Sequence, residues 1–163
     1  MTALALAGCT PGVSGSIGIS RIGEELRAVL VTCPNHELAE LTLRDRLQIN
    51  AKREFEIVER WSLEAPVDQV ATGSIGTITE FAERLSDDVD YSVSGFAPAG
   101  WGWGANGPIF TEADVLELGD GKVLGHPFFG YEETSVYASV DAFRSSVLDE
   151  GCGIEPSSGA NSS

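Results

Sequence analysis

The sequence predicts a mainly β fold, an antiparallel β-sandwich or partly closed barrel with two short peripheral helices. Three observations predict it. Short apolar runs are separated by turn residues throughout the chain. Nineteen glycines against a single methionine suit a chain with many turns. Long amphipathic helices do not alternate with the strands, which argues against a βαβ architecture.

Residues 17–22 form a plausible first strand, and residues 27–33 a stronger one, a short apolar run bounded by Pro34 and Asn35. Pro34, Asn35 and His36 read as the connecting turn. In residues 37–44, Ala39, Leu41 and Leu43 fall on one face and Glu40, Thr42 and Arg44 on the other. That alternation predicts a half-buried antiparallel strand. Residues 54–63 carry Phe55, Ile57 and Trp61 at even spacing and are expected to be another strand. The helix formers among residues 51–60 leave a helix as the alternative there. Residues 76–81 alternate weakly. The acids Asp87, Asp88 and Asp90 form a polar break before a strand at residues 91–96, and a glycine-rich stretch at 98–108 leads to Ile109 and Phe110.

Two helices are expected near the end. Thr111 can cap the first, with Glu112 and Asp114 favourable in its opening turn and Gly119 at its close. Asp120-Gly121 is a tight-turn signal into residues 122–124. Ser139 can cap the second helix, residues 140–148, on which Val140, Phe143 and Val147 share a face that should dock on the body.

The chain has 163 residues, enough for one ordinary domain with a core. Residues 16–153 are expected to form it, with residues 1–15 as a tether and residues 154–163 as a loose Ser/Gly/Pro-rich tail. A 42% hydrophobic, 21% charged composition excludes wholesale disorder. Twenty-five acids against ten bases give a net charge of −15. Nucleic acid is therefore not an expected partner, because binding it needs basic residues to replace condensed counterions. Electrostatic docking on anionic lipid is disfavoured for the same reason. There is no apolar run long enough to span a bilayer as a helix.

The amino terminus, MTALALAGCT, ends a small apolar run in Leu6-Ala7-Gly8-Cys9. This matches a lipobox, in which Cys9 takes the lipid. Thr10, Pro11, Gly12, Ser14, Gly15 and Ser16 then read as a flexible tether. A lipoprotein signal peptide also needs a basic start and a longer apolar stretch. The basic start is absent and the apolar stretch is short here, so the chain as written is expected to be exported poorly or not at all. Three cysteines are present. If Cys9 is lipidated, Cys33 and Cys152 remain and can pair, closing a loop of about 120 residues worth on the order of 4–5 kcal/mol by loop entropy. The alternative is a cytosolic protein with three reduced thiols.

The most distinctive stretch for binding is Gly100-Trp101-Gly102-Trp103-Gly104-Ala105-Asn106-Gly107-Pro108. In an extended segment the rings of Trp101 and Trp103 face the same way, a platform for a sugar ring or an apolar ligand, with Asn106 nearby. The competing role for both rings is filling the core beside Trp61 and Phe110. No HxH, HExxH or CxxC spacing exists, so neither a metal nor a cofactor is expected, and His36 and His126 read as surface or packing residues. No GxSxG elbow supports a Ser-His-Asp set. Asp87, Asp88 and Asp90 lack the DxDxDG loop of a Ca²⁺ site, and Gly73 to Gly76 lacks a phosphate-loop GK[ST].

With its lipobox Leu6-Ala7-Gly8-Cys9, small-residue tether, later Cys33 and Cys152, Tyr91-Ser92-Val93-Ser94-Gly95, Trp101-Gly102-Trp103 and Phe110-Thr111-Glu112-Ala113-Asp114, the chain resembles small cell-envelope lipoproteins of actinobacteria. The resemblance implies a lipid-anchored, extracytoplasmic protein and supplies no catalytic residue. The expected function is thus a non-enzymatic envelope module that binds a ligand or partner through Trp101, Trp103 and Asn106. Alternatives are a hydrolase with an acid/His site that no motif reveals, and a cytoplasmic interaction protein.

Overall fold

Alternating side chains set the two faces of the first strand, β1 (Val13–Ile22). Ile17 and Ile19 are buried in the main core, while Ser16, Gly18 and Ser20 look the other way. In this computed structural model the described residues are 13–34, 40–49, 51–96, 104–126 and 134–152. The remaining strands are β2 (Glu25–Thr32), β3 (Glu40–Ile49), β4 (Phe55–Ser62), β5 (Val70–Thr77), β6 (Tyr91–Phe96), β7 (Gly104–Phe110), β8 (Val123–Gly125) and β9 (Ser135–Tyr137). The predicted tether and tail, residues 1–12 and 153–163, lie outside the described residues.

All nine strands among the described residues belong to one sheet, seven of them in the order β4-β3-β6-β7-β1-β2-β5, with β8 joined to β1 and β9 to β8. It curls into an open half-barrel, one of the two architectures that the sequence predicts. Its neighbours are antiparallel except β1 and β7, which run parallel from Val13/Gly104 to Ser16/Asn106. Beyond Ser16 that edge of β1 passes to β8, which pairs with it from Gly18 to Ser20. The sheet therefore forks at β1. Ser16 is buried at the fork and its hydroxyl donates to the Asn106 and His126 carbonyls, at 3.3 and 3.1 Å.

The concave side holds the main core. A third helix, α1 (Ile78–Glu83), sits there where residues 76–81 showed only weak alternation. Thr77 starts it with a reciprocal capping box: its hydroxyl accepts from Glu80 N, and Glu80 accepts from Thr77 N. The box overrides the strand-like pattern because it satisfies two donors that would otherwise be orphaned. Phe81 is then fully buried, with its ring centroid 6.1 Å from that of Trp61 and 6.2 Å from that of Phe110. Burying such a side chain contributes about 1.5–3 kcal/mol. Arg84, beyond the helix, pairs with Glu59 of β4 at 2.6 Å. The predicted start of the next helix is observed, with α2 (Glu112–Leu116) capped by Thr111 and its Asp114 box, but the helix closes at Glu117, before the expected Gly119.

On the convex side a smaller core forms over β1, β2 and β8. Ser139 caps α3 (Val140–Ser146), accepting from Ala142 N at 3.0 Å. Phe143 and Val147 pack against Val29, Val31 and Val123. A π-helical turn, Val147–Gly151, carries the chain on to Cys152. There the Cys33–Cys152 disulfide staples the end of this layer to the end of β2, with α-carbons 5.3 Å apart. No helix among the described residues is long and apolar enough to cross a membrane.

Candidate functional site

The described residues cover half of the convex face. Among the described residues, β8, β9 and α3 shield β1 and β2, and no helix covers the part made by β3, β6 and β7. Outward parity decides what it displays. Leu41 and Leu43 enter the core, so Thr42, Arg44 and Arg46 face outward. On β6, Tyr91 and Val93 are buried in the same core, and Ser92 and Ser94 are opposite Arg44 and Thr42. On β7, Asn106 is opposite Ser94 and Ile109 is opposite Ser92.

Two irregularities shape this face into a groove. Between β6 and β7 the register shifts so that Gly107 and Pro108 together face Val93. This is a β-bulge, where a proline lacking an N–H does least harm to the ladder. Glycine is required beside it, because a Cβ on residue 107 would lie 2.7 Å from the Val93 carbonyl oxygen. Between β3 and β4 a second shift leaves Trp61 opposite Leu41 yet brings Ile57 opposite Arg44. The even spacing of Phe55, Ile57 and Trp61 thus does not keep all three on one face. Instead Phe55 joins the groove wall. Its carbonyl accepts from Arg44 Nη1 at 3.0 Å, and the Arg46 guanidinium lies 5.2 Å from its ring centroid.

The resulting cavity of about 280 Å³ is lined by Arg44, Arg46, Ser92, Ser94, Asn106 and His126, with apolar contributions from Phe55 and Ile109. His126 follows β8 directly and borders the groove at the fork. Thr134 clamps the neighbouring edge, its hydroxyl donating to the Ile109 carbonyl and accepting from Ile109 N. The described lining residues include two arginines and a histidine.

A separate depression of about 350 Å³ is lined by Asp87, Asp88, Thr111, Glu112, Ala113 and Leu116. The Glu112 carboxyl is held above the ordinary carboxylate range, chiefly by its hydrogen bond to Asp87 and then by partial desolvation. Among the described residues, His126 lines the first hollow, and Asp87, Asp88 and Glu112 line the second. Among the described residues no group of three or more His, Cys, Asp or Glu side chains could hold a metal ion.

Of the sequence-predicted site residues, Asn106 lies exposed in the groove, and Cys33 and Cys152 are bonded. Cys9, Trp101 and Trp103 lie outside the described residues, although residues 97–103 connect the two strands that floor the groove. Trp61 and Phe110 are buried in the core. Sequence reasoning missed Arg44, Arg46, Ser92 and Ser94 as a set, and placed His126 among ordinary surface or packing residues. The signal available was parity, since each lies on the polar side of an alternating strand. Pairing of β3 with β6 is what adds them together, and no motif encodes it. No protein-family model, curated protein or solved structure matches this chain.

Proposed function

We propose that the protein is a non-enzymatic ligand-binding module of the cell envelope, anchored through a lipid on Cys9 and binding its ligand in the convex-face groove. The observation that carries this reading is the groove itself. It is walled by both neighbours of a forked sheet, fixed by a bulge that only glycine permits, and lined by Asn106 and a convergent set of hydrogen-bonding side chains. The Cys33–Cys152 disulfide supports an oxidising location, since such bonds persist chiefly outside the reducing cytosol. Trp101 and Trp103 belong to the connection leading into β7, which makes them natural reporters and candidate stacking partners for a sugar ring.

Titration with soluble cell-wall glycan fragments tests the groove. The expected result is a change in tryptophan fluorescence together with amide shifts at Ser92, Ser94 and Asn106. If no fragment moves those amides, the groove is not the glycan site. Mass spectrometry of protein isolated from its native host tests the anchor: a lipid-modified Cys9 is expected. An unmodified Met1 with three free thiols would instead favour the cytoplasmic interaction protein.

A further inference from the structure

We propose that the Cys33–Cys152 disulfide is a redox latch on the groove: its reduction by a dithiol loosens the convex helix layer and, through Phe143 and Gly125, displaces the His126 wall. The regulation of binding rests on the groove being the binding site, whereas the mechanical coupling does not. Division of the molecule into two cores is the first argument. The main core holds Ile17, Leu30, Phe81 and their neighbours, and the smaller one holds Val29, Val31, Val123, Phe143 and Val147. Alternate residues of β2 serve the two, so the smaller core can open while the main one stays closed. Its helical half is short, with seven residues in α3 and five in the π-helical turn. Elements of that length have little stability of their own and depend on their attachments. The attachments include the apolar packing, the Arg144 Nε bond to the Asp68 carbonyl at 3.2 Å and the disulfide.

The path from the sulfur pair to the groove is the second argument. Cys152 packs against the smaller core directly after the turn that carries Val147. One helical turn before Val147, Phe143 lies over Gly18 and Gly125, which face each other across β1 and β8. A Cβ on Gly125 would lie 2.6 Å from Phe143 Cε2, and one on Gly18 would lie 3.1 Å from Phe143 Cε1. The ring takes the space that two side chains would fill, and Tyr137 meets it edge-on with centroids 5.1 Å apart. Gly125 is followed at once by His126, which lines the groove and whose carbonyl accepts from Ser16 at the fork. Close-packed contacts of this kind transmit displacement. Chemistry is the third argument. Cys33 is buried and Cys152 half-buried, so Cys152 is the sulfur that an attacking thiolate reaches. The thiolate bonds to Sγ of Cys152, and Cys33 leaves as a thiolate. The second thiol of the dithiol then closes its own disulfide and releases Cys152. Two electrons pass to the protein, and the two protons of the dithiol end on the freed cysteines.

The test compares the whole disulfide-bonded protein with and without dithiothreitol, with no ligand added. Hydrogen exchange follows residues 140–151 in the convex layer and residues 41–43 and 91–93 in the main core, and NMR follows the amides of Gly125, His126 and Asn106. Reduction should speed exchange in residues 140–151 at least about tenfold and leave the main-core residues protected. It should also shift the amides of Gly125, His126 and Asn106. In the variant Cys33→Ser with Cys152→Ser, dithiothreitol should change nothing, and a response there would overturn the latch. Unchanged exchange in residues 140–151 on reduction would overturn it too, because packing alone would then hold the layer. Simultaneous loss of protection in residues 41–43 and 91–93 would show that the bond serves the whole fold, not a latch. Release of α3 with the amides of His126 and Asn106 unmoved would break the link to the groove and overturn the proposal, while leaving the groove as a binding site. The glycan titration described above is read on the oxidised protein, so its failure would remove the groove as the site without altering any of these outcomes.

Discussion

Cys33 and Cys152 are joined across 119 residues of sequence, which makes the covalent link a tie between the convex helix layer and the end of β2. A crosslink acts largely by restricting the unfolded chain, and a loop of this length corresponds to about 4–5 kcal/mol in the loop-entropy model. The same bond holds the segment after α3, which carries Val147 and Leu148, against the smaller core of Val29, Val31 and Val123.

Replacing both cysteines, Cys33→Ser with Cys152→Ser, should therefore lower unfolding free energy by about 2–5 kcal/mol, measured by urea denaturation. Hydrogen exchange should show the loss first in α3 and the π-helical turn, with the main core protected until global unfolding. A variant as stable as the parent, with unchanged exchange in α3, would show that packing by Phe143 and Val147 suffices.

Phe81 is the second point on which the fold depends. It is fully buried between Trp61 and Phe110 and brings a six-residue helix into the open side of the half-barrel. So short a helix has little stability of its own. Phe81→Ala should cost about 3–5 kcal/mol. Near-ultraviolet circular dichroism should report a loosened Trp61 environment. A cost below about 1 kcal/mol would mean that α1 is not anchored by this ring.

Acid titration should separate two glutamates in opposite directions. Glu80 is held below the ordinary range, first by its hydrogen bond from the Thr77 backbone, then by the Thr77 hydroxyl, with Arg84 adding to it. Its contribution is present above the unfolded pKa and is lost as pH falls through the lower folded value. Glu112 is raised by Asp87, so its contribution is full below the unfolded pKa and is lost as pH rises through the higher folded value. Carbon-detected NMR of the side-chain carboxyls should find Glu112 titrating at higher pH than Glu80. Asp87→Asn should bring Glu112 down toward its ordinary range, and titration in the reverse order would contradict the pairing.

Strand identity was legible wherever apolar residues alternate against polar ones, as in Leu41 and Leu43 against Thr42 and Arg44, and both predicted caps, Thr111 and Ser139, act as such. What stayed hidden depends on partners distant in sequence. β7 begins within a glycine-rich stretch with poor strand propensity, yet residues 104–110 pair with β6 on one side and β1 on the other. Tertiary pairing outweighs propensity there. The groove was hidden for a related reason. Its arginines come from one strand, its serines from another and Asn106 from a third, and the bulges that align them have no local signature beyond Gly107-Pro108. Of the predicted ligand residues, only Asn106 lies among the described residues to be placed.

That bulge supplies a variant that separates groove shape from groove chemistry. Gly107 lies beneath Val93, and an added Cβ would approach the Val93 carbonyl to 2.7 Å, its Cβ to 3.1 Å and the Ile17 Cβ to 3.2 Å. Two of these contacts are with the neighbouring strand and the third with β1, so no flexible side-chain end can simply move away. Gly107→Ala should destabilise by about 1–3 kcal/mol as an overpacked site. It should also displace Asn106 relative to Ser94, so amide shifts in the variant should concentrate on β6 and β7 and spare α3. The change removes no polar group of the groove. Any loss of ligand affinity beyond the loss caused by partial unfolding, measured well below the melting transition, would therefore report geometry alone. Unaltered stability and unaltered shifts at residues 92–94 would show that β7 does not hold the close approach that Gly107 permits.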